Sequence, residues 1–325
     1  MSDSKFSAEL TAAIEAVRAA GRLTSLVQAA LTQAKVRTKS DASPVSVGDY
    51  AAQVIVRHLL SRMLGSEVPF VAEESSDALA QESPDFLREV MEVVRMEWPD
   101  TDLESILSGV GANLPMEVGA SYWTLDPIDG TKGFLRNEHY AIALARIDGG
   151  QVTLAVLGCP RLDPSGTSVA PSSKGSILYV ERDGPVYIEA MDEKGVSRAL
   201  APNFNEPRDS IRVAKSVERD HVDGPRYAHL VNKVGGEVEQ VAADGQVKYA
   251  LLALGLADLY LRVARGGYRE KVWDHAAGAF VAQTTGYRAS DARGRPLDFG
   301  TPPYLANEGG LVVAPPWLHA RLMAV

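Results

Sequence analysis

Cysteine is nearly absent from this chain of 325 residues, Cys159 being the single one. No intramolecular disulfide can form, no cysteine cluster can hold zinc, and a reducing compartment fits. Long apolar runs are missing too. No stretch of about 18 apolar residues marks a membrane span, and "MSDSKFSAEL" lacks the basic start and apolar run of a secretory leader. The expected compartment is the cytoplasm, with an organelle reached by a removed transit peptide left open. Positive charge is in deficit: 33 Lys and Arg stand against 42 Asp and Glu, for a formal net charge of −9. Binding a nucleic-acid polymer draws on clustered cations that displace counterions, so no such partner, and no membrane, is expected. A small anionic ligand would need positive charge supplied locally, as a divalent cation held by carboxylates supplies it.

What remains is the composition of an ordinary folded protein, 46% hydrophobic and 23% charged, long enough for one large or two medium domains. From Ser7 to about Ala34 the apolar residues Leu10, Ile14, Val17, Val27 and Leu31 recur at helical spacing, with Gly21 on the same stripe where close packing is needed. Ser46-x-x-Asp49 is a capping signal before a second periodic run from about residue 47 through Val54, Leu59 and Met63. The acidic stretch from Ser75 to Pro115 has a helical pattern with Phe86, Val90, Val94 and Trp98 inward; a solvated insertion is its plain reading, a lid its functional one. Two strand pairs follow, "HYAIALARI" with "QVTLAVLG" and "GSILYVER" with "PVYIEA", each joined by a short turn. After about Ser210 strand-like and helical segments alternate, which predicts an α/β arrangement of a sheet with helices on it. The boundary falls between Pro160 and Ser210. Residues 1–190 are expected to form an N-terminal α+β unit and residues 191–325 a C-terminal α/β unit.

Chemistry concentrates in "WTLDPIDGTKGFLR", residues 123 to 136. Asp126 follows a strand-like segment and so projects from a strand end, a common place for sites in layered α/β proteins. Pro127 removes a donor and fixes a dihedral, leaving the Ile128 carbonyl as an acceptor in the turn. Asp129 follows, and Gly130 and Thr131 open a helix whose N–H groups favour a phosphate. Two carboxylates and a carbonyl within four residues make a hard-oxygen site suited to Mg²⁺. The plain alternative is an Asx-rich turn with Asp129 as helix cap. Glu73 and Glu74 end the strand-like "EVPFVA", Asp49 also serves as partner of Ser46, and Asp274 precedes a helix it would cap.

"VAEESS", "LDPIDGTKGFLR" and "EKVWDHAAG" together resemble the lithium-sensitive, magnesium-dependent phosphatases related to inositol monophosphatase and fructose-1,6-bisphosphatase. Within that superfamily the chain is most similar to the 3′(2′),5′-bisphosphate nucleotidases of plants and fungi, because Lys132-Gly133-Phe134-Leu135-Arg136 stands where inositol monophosphatases carry Thr-Asn-Phe. "SPVSVGDYAAQ" and "KYALLALGLADLYLR" extend the likeness over nearly the whole chain, least in 77–115 and 160–208. The resemblance implies a layered αβαβα sandwich with an antiparallel N-terminal sheet and a mostly parallel C-terminal one. It implies up to three Mg²⁺: one on Glu73, Asp126 and the Ile128 carbonyl, a second on Asp126, Asp129 and Asp274, and a third reached from Glu73 through water. Asp49 and Thr131 match the pair that positions and deprotonates the attacking water. Gly130, Thr131, His221, Gly245, Lys248 and Arg262 fall at substrate contacts, with Gly245 replacing a serine of the fungal pattern "DSQAKY".

The implied reaction is metal-assisted, in-line attack by water on the 3′-phosphate of adenosine 3′,5′-bisphosphate, giving AMP and phosphate with no covalent enzyme intermediate. The substrate is a small molecule, 3′-phosphoadenylyl sulfate is a second one by resemblance, and a monomer is expected. An inositol (poly)phosphate 1-phosphatase with the same metals is the runner-up. An aspartyl-phosphate phosphatase is out of register, since its D-x-D motif has one residue between the aspartates and this chain has Pro127 and Ile128. A silent nucleotide sensor is opposed by the complete metal and water-handling set. "GVGANL" lacks the third glycine and the preceding strand of a dinucleotide site.

Overall fold

A computed structural model describes residues 6–31, 36–39, 44–65, 69–111, 116–202, 209–217, 224–263 and 268–324. The chain opens with α1 (Ala8–Ala29), a hairpin of β1 (Val36–Thr38) and β2 (Pro44–Ser46), and α2 (Val47–Leu64). Then come β3 (Phe70–Ala72), α3 (Ser76–Ala80), α4 (Pro84–Arg95), α5 (Leu103–Val110), β4 (Tyr122–Asp129) and α6 (Thr131–Leu135). The strands β5 (Ala141–Asp148), β6 (Gln151–Cys159), β7 (Ser176–Glu181), β8 (Tyr187–Ala190) and β9 (Arg198–Ala199) follow. The last third holds β10 (Ser210–Lys215), α7 (Gly224–Val234), β11 (Glu237–Ala242), α8 (Val247–Ala253), β12 (Leu259–Arg262), α9 (Ala276–Thr284), β13 (Arg288–Asp291), β14 (Leu311–Ala314) and α10 (Pro316–Met323).

The first two long helices, α1 and α2, begin where their capping chemistry says. The Ser7 hydroxyl accepts the Leu10 N–H at the start of α1, and a full capping box joins Ser46 and Asp49 at the start of α2. Gly65, at φ +69°, ends α2 in the left-handed conformation. Gly21 meets the Met191 thioether so closely that a Cβ would collide, as close packing on the α1 stripe requires. The acidic insertion is helical, with Phe86, Val90 and Val94 fully buried. Two details differ from the periodic reading: Met63 is 45% exposed, and Trp98 lies beyond α4, stacked on His58 at 3.7 Å.

One sheet runs β3-β4-β5-β6-β7-β8-β9, antiparallel except for the parallel pair β3 and β4. The turn from β5 to β6 is Gly149-Gly150, both with positive φ, as a tight two-residue hairpin demands. The other sheet runs β11-β10-β12-β14-β13: β10, β11 and β12 are parallel, while β13 and β14 extend it antiparallel. The second sheet is therefore mixed, half parallel and half antiparallel by pairing.

Both faces of the first sheet are covered, which explains the nearly continuous apolar run of β5. Ile142 and Leu144 face the layer of α1 and α2, while Ala141, Ala143 and Ala145 face α9, their small side chains letting that helix approach. The second sheet packs α8 on one side and α7 with α10 on the other. The layers thus alternate helix, sheet, helix, sheet, helix, as expected. Among the described residues no helix is long and apolar enough to cross a membrane.

Candidate active site

The turn after Asp126 is a break in sheet pairing. Asp126 pairs with Ala143 and Asp129 with Ala141, so Pro127 and Ile128 bulge out between them. The bulge turns both carboxylates toward the seam between the two sheets. Asp126 Oδ1 accepts the Ile128 N–H at 3.1 Å, and the Thr131 hydroxyl donates to the Ile128 carbonyl at 3.1 Å. The carbonyl thus already has one partner, contrary to the expectation of a free acceptor, and keeps its second lone pair. Asp129 does not cap α6. That position belongs to Gly130, at φ +93°, with no side-chain cap.

Glycine at 130 and 245 is a steric requirement of the seam. A Cβ on Gly130 would lie 2.9 Å from the Gly245 nitrogen, and one on Gly245, at φ +58°, would strike the Asp129 carbonyl oxygen. The departure from serine at position 245 therefore has a physical reason in this backbone.

Glu73 and Glu74 follow β3. Buried Gln53 holds that segment: its Nε2 donates to the Glu74 and Val110 carbonyls at 2.8 Å, and its Oε1 accepts the Glu74 N–H at 3.1 Å. Lys39, just past β1, donates to Glu73 Oε1 at 2.7 Å and Glu74 Oε1 at 2.6 Å. Glu74 is buried. Asp49 Oδ2 accepts from the Ser46 N–H and hydroxyl at 2.8 and 2.7 Å, whereas buried Oδ1 has no partner. Asp49 and Thr131 are thus each bonded elsewhere and not to each other.

The second sheet and its helices supply cations. Lys248 on α8 is buried and donates to the Ser216 hydroxyl at 3.0 Å. Arg262 ends β12, its Nε 2.8 Å from Glu270 Oε2 and its Nη2 3.4 Å from Asp274 Oδ2. Asp274 does not cap the following helix, whose N-cap is His275 without a side-chain bond. Gln246 ties the two helices, donating to the Trp273 carbonyl and accepting the Gly278 N–H, both at 2.8 Å.

These elements enclose a cleft of about 520 Å³. Glu73, Asp126, Ile128, Asp129, Gly130 and Thr131 line one side, and Gly245, Lys248, Arg262 and Asp274 the other. Asp49 is not among the residues that line the cleft, and His221 lies outside the described residues. Lys215, Ser216, Tyr227 and Tyr260 also line the cleft without having been singled out by sequence. A neighbour in space, not in sequence, brings each of them there. Gln53 was findable, since it stands one helical turn after Asp49 on the same face.

The electrostatics separate the two sides. Burial and then the Glu73 charge push Asp49 up to about 7, against the opposing pull of Lys39 and Ser46. Burial, then Glu73, Asp129 and Asp274, raise Asp126 well above the carboxylate range. Burial also raises Asp129 despite Lys248 and Arg262, and takes Asp274 up to about 7 despite Arg262 and His275. Burial lowers Lys248 to about 8, with Asp129 and Asp244 acting against the fall. Carboxyls that destabilise one another's charge, beside an orphaned buried oxygen on Asp49, fit a hard divalent cation bound among them.

An αβαβα sandwich with acidic strand ends at the seam of its sheets defines a class, and the inositol monophosphatase family pattern matches residues 7–325. The chain belongs to the inositol monophosphatase family. It is 36% identical over 328 residues to "Probable 3'(2'),5'-bisphosphate nucleotidase 4" of Arabidopsis thaliana, covering 97% of this chain and 93% of that one. It is 33% identical over 326 residues to the 3'(2'),5'-bisphosphate nucleotidase of Schizosaccharomyces pombe, covering 95% and 92%. The crystal structure of extragenic suppressor protein suhB from Bartonella henselae shares the fold, with a TM-score of 0.65 at 18% identity over 98% of this chain and 97% of that one.

Proposed function

We propose that this chain is a metal-dependent phosphatase that removes the 3′-phosphate of adenosine 3′,5′-bisphosphate, giving AMP and phosphate. One observation carries the reading: a single cleft sets a wall of mutually repelling carboxylates opposite the buried Lys248 and the Arg262 guanidinium. A phosphate monoester with a second phosphate nearby matches both walls, and the curated relatives' names point the same way.

Mg²⁺, up to three ions, is the proposed cofactor, held by Glu73, Asp126, the Ile128 carbonyl, Asp129 and Asp274. When bound it lowers the pKa of water and shares the charge of the attacking and leaving oxygens. The chain's own groups do the rest. Asp49 keeps Oδ1 open, and Thr131 carries the hydroxyl of the turn; this pair orients the attacking water and takes its proton. Lys248 and Arg262 hold the phosphates of the substrate, with Gly130 and Gly245 completing its surroundings. The sulfated nucleotide 3′-phosphoadenylyl sulfate fits the same walls.

In this reading residues 1–190 carry the carboxylate wall, and residues 191–325 carry the nucleotide contacts with Asp274. A monomer suffices, since both walls come from one chain, and a reducing compartment such as the cytoplasm suits the buried Cys159 thiol.

The test is phosphate release with Mg²⁺ from adenosine 3′,5′-bisphosphate and from inositol 1-phosphate, with and without lithium. Preference for the nucleotide with lithium inhibition is expected, and Asp126→Asn should lower kcat by about three orders of magnitude. Preference for the inositol ester would overturn the substrate, and full activity of the variant would overturn the site.

A further inference from the structure

Glu270, Asp274 and His275 have the composition of a metal site, with one ligand atom from each lying within 4.8 Å of the others. Their hydrogen bonds give them a different task. Glu270 is 2% exposed, and its Oε2 is 2.8 Å from Arg262 Nε and 3.0 Å from His275 Nε2. Burial disfavours the Glu270 charge, but Arg262 and the hydrogen bond and charge of His275 overcome this and hold the carboxyl down to about 2. An ionised carboxylate only accepts, so His275 Nε2 carries the hydrogen. The other ring nitrogen, Nδ1, shares a hydrogen bond of 2.8 Å with the Tyr249 hydroxyl.

A continuous chain therefore runs from Tyr249 through His275 to Glu270 and ends on the guanidinium. Tyr249 and His275 are fully buried, so the anchor sits in the packed core. Arg262, with its side chain 34% exposed, is the solvent-accessible member of the chain at the cleft, which buried Tyr249 also lines. A grip on Nε fixes the plane of the guanidinium, whereas the contacts of Nη2 are long, 3.4 Å to Asp274 Oδ2 and 3.5 Å to the Tyr268 hydroxyl, and can yield to a ligand. Its other carboxylate neighbour among the described residues is Asp274, at 3.4 Å. Without Glu270 the guanidinium would have that acidic group as its remaining ionic partner.

We propose that Glu270, backed by His275 and Tyr249, is a positioning residue that holds Arg262 out for the second phosphate of the substrate and limits it to a long, 3.4 Å contact with Asp274. The inference rests on Arg262 being a substrate contact, as read above.

The experiment is Glu270→Gln, which keeps the size and removes the charge. kcat/KM is measured on adenosine 3′,5′-bisphosphate and on adenosine 3′-monophosphate, and Mg²⁺ affinity of the protein without substrate by calorimetry. The expected loss on the bisphosphate exceeds that on the monophosphate by about tenfold, mostly in KM, as the loss of one charge-assisted contact predicts. Mg²⁺ binding should weaken severalfold as Arg262 turns to Asp274. Introduced into Arg262→Gln, the same change should add no selective loss. Equal losses on both substrates, or a selective loss that persists without Arg262, would overturn the proposal.

If Glu270→Gln does not fold, Tyr249→Phe tests the far end of the chain, with a smaller selective loss expected and none contradicting the proposal. A wild-type protein indifferent to the second phosphate would instead refute the substrate reading. The Mg²⁺ titration then decides by itself whether Glu270 keeps Arg262 from closing further on Asp274: weaker binding in the variant upholds that and unchanged binding refutes it.

Discussion

On the wall built from β3, β4 and α2, carboxyls crowd each other: Asp126 is raised by Glu73, Asp129 and Asp274 beyond what burial does, and Asp49 by Glu73. Among the described residues Lys39 is the one cation bonded directly to Glu73 and Glu74. On the opposite wall Arg262 and Lys248 are compensated within the protein. Arg262 has Glu270, and Lys248 has the charges of Asp129 and Asp244 with the Ser216 hydroxyl. The first wall is incomplete without an added cation. The second is stable alone and offers an anion only what its internal partners leave over. A site of this kind takes up metal for its own stability and substrate by competition.

That contrast is sharpened most by removing charge from the second wall. Lys248→Met should raise KM for adenosine 3′,5′-bisphosphate by about 10- to 100-fold with a smaller change in kcat, since a charged hydrogen bond to phosphate is lost. Measuring Mg²⁺ affinity in the same variant separates the walls, because a comparable loss there would show that they are one electrostatic unit. The wild-type KM should itself climb as pH rises through about 8, where the Lys248 ammonium gives up its proton. Lys248→Arg should move that climb out of the accessible range.

The smallest effect is expected at the seam. Gly245→Ala forces a Cβ against the Asp129 carbonyl in a left-handed backbone, at a cost of about 1–3 kcal/mol in stability. Chemical denaturation reads that loss. Because Gly245 touches Asp129 across the seam, Mg²⁺ binding and nucleotide KM should both worsen, whereas Lys248→Met separates them.

Much of this was legible in the sequence where the signal is local. The Ser46 and Asp49 capping box, the hairpin at Gly149-Gly150 and the helix and strand alternation after Ser210 all stand as read. The strands "RASD" and "LVVA", β13 and β14, were not read, because four residues give no usable alternation and their pairing to β12 is decided at long range. At the site the motifs gave the carboxylates but not their partners. That Asp129 and Asp274 leave their helices uncapped, and that Thr131 holds the Ile128 carbonyl, depends on the bulge and on the approach of Gly245. Lys39 and Tyr227 reach the cleft region by tertiary packing and carry no motif of their own, and Glu270 opens "EKVWDHAAG" without that motif giving its pairing with Arg262.

The measurement that bears most directly on the two-wall account is thermal unfolding of the metal-free protein between pH 4 and 8, repeated with saturating Mg²⁺. Asp49 and Asp274 titrate near 3.8 when unfolded and near 7 when folded. Between those values the folded state binds more protons, so this pair's contribution to stability falls as pH rises from about 4 to about 7. The account predicts a melting temperature that drops across that window without metal, with Mg²⁺ restoring it most at pH 7 and least at pH 5. A metal-free protein as stable at pH 7 as at pH 5, with no shift on adding Mg²⁺, would contradict the claim that the carboxylate wall is a cation site.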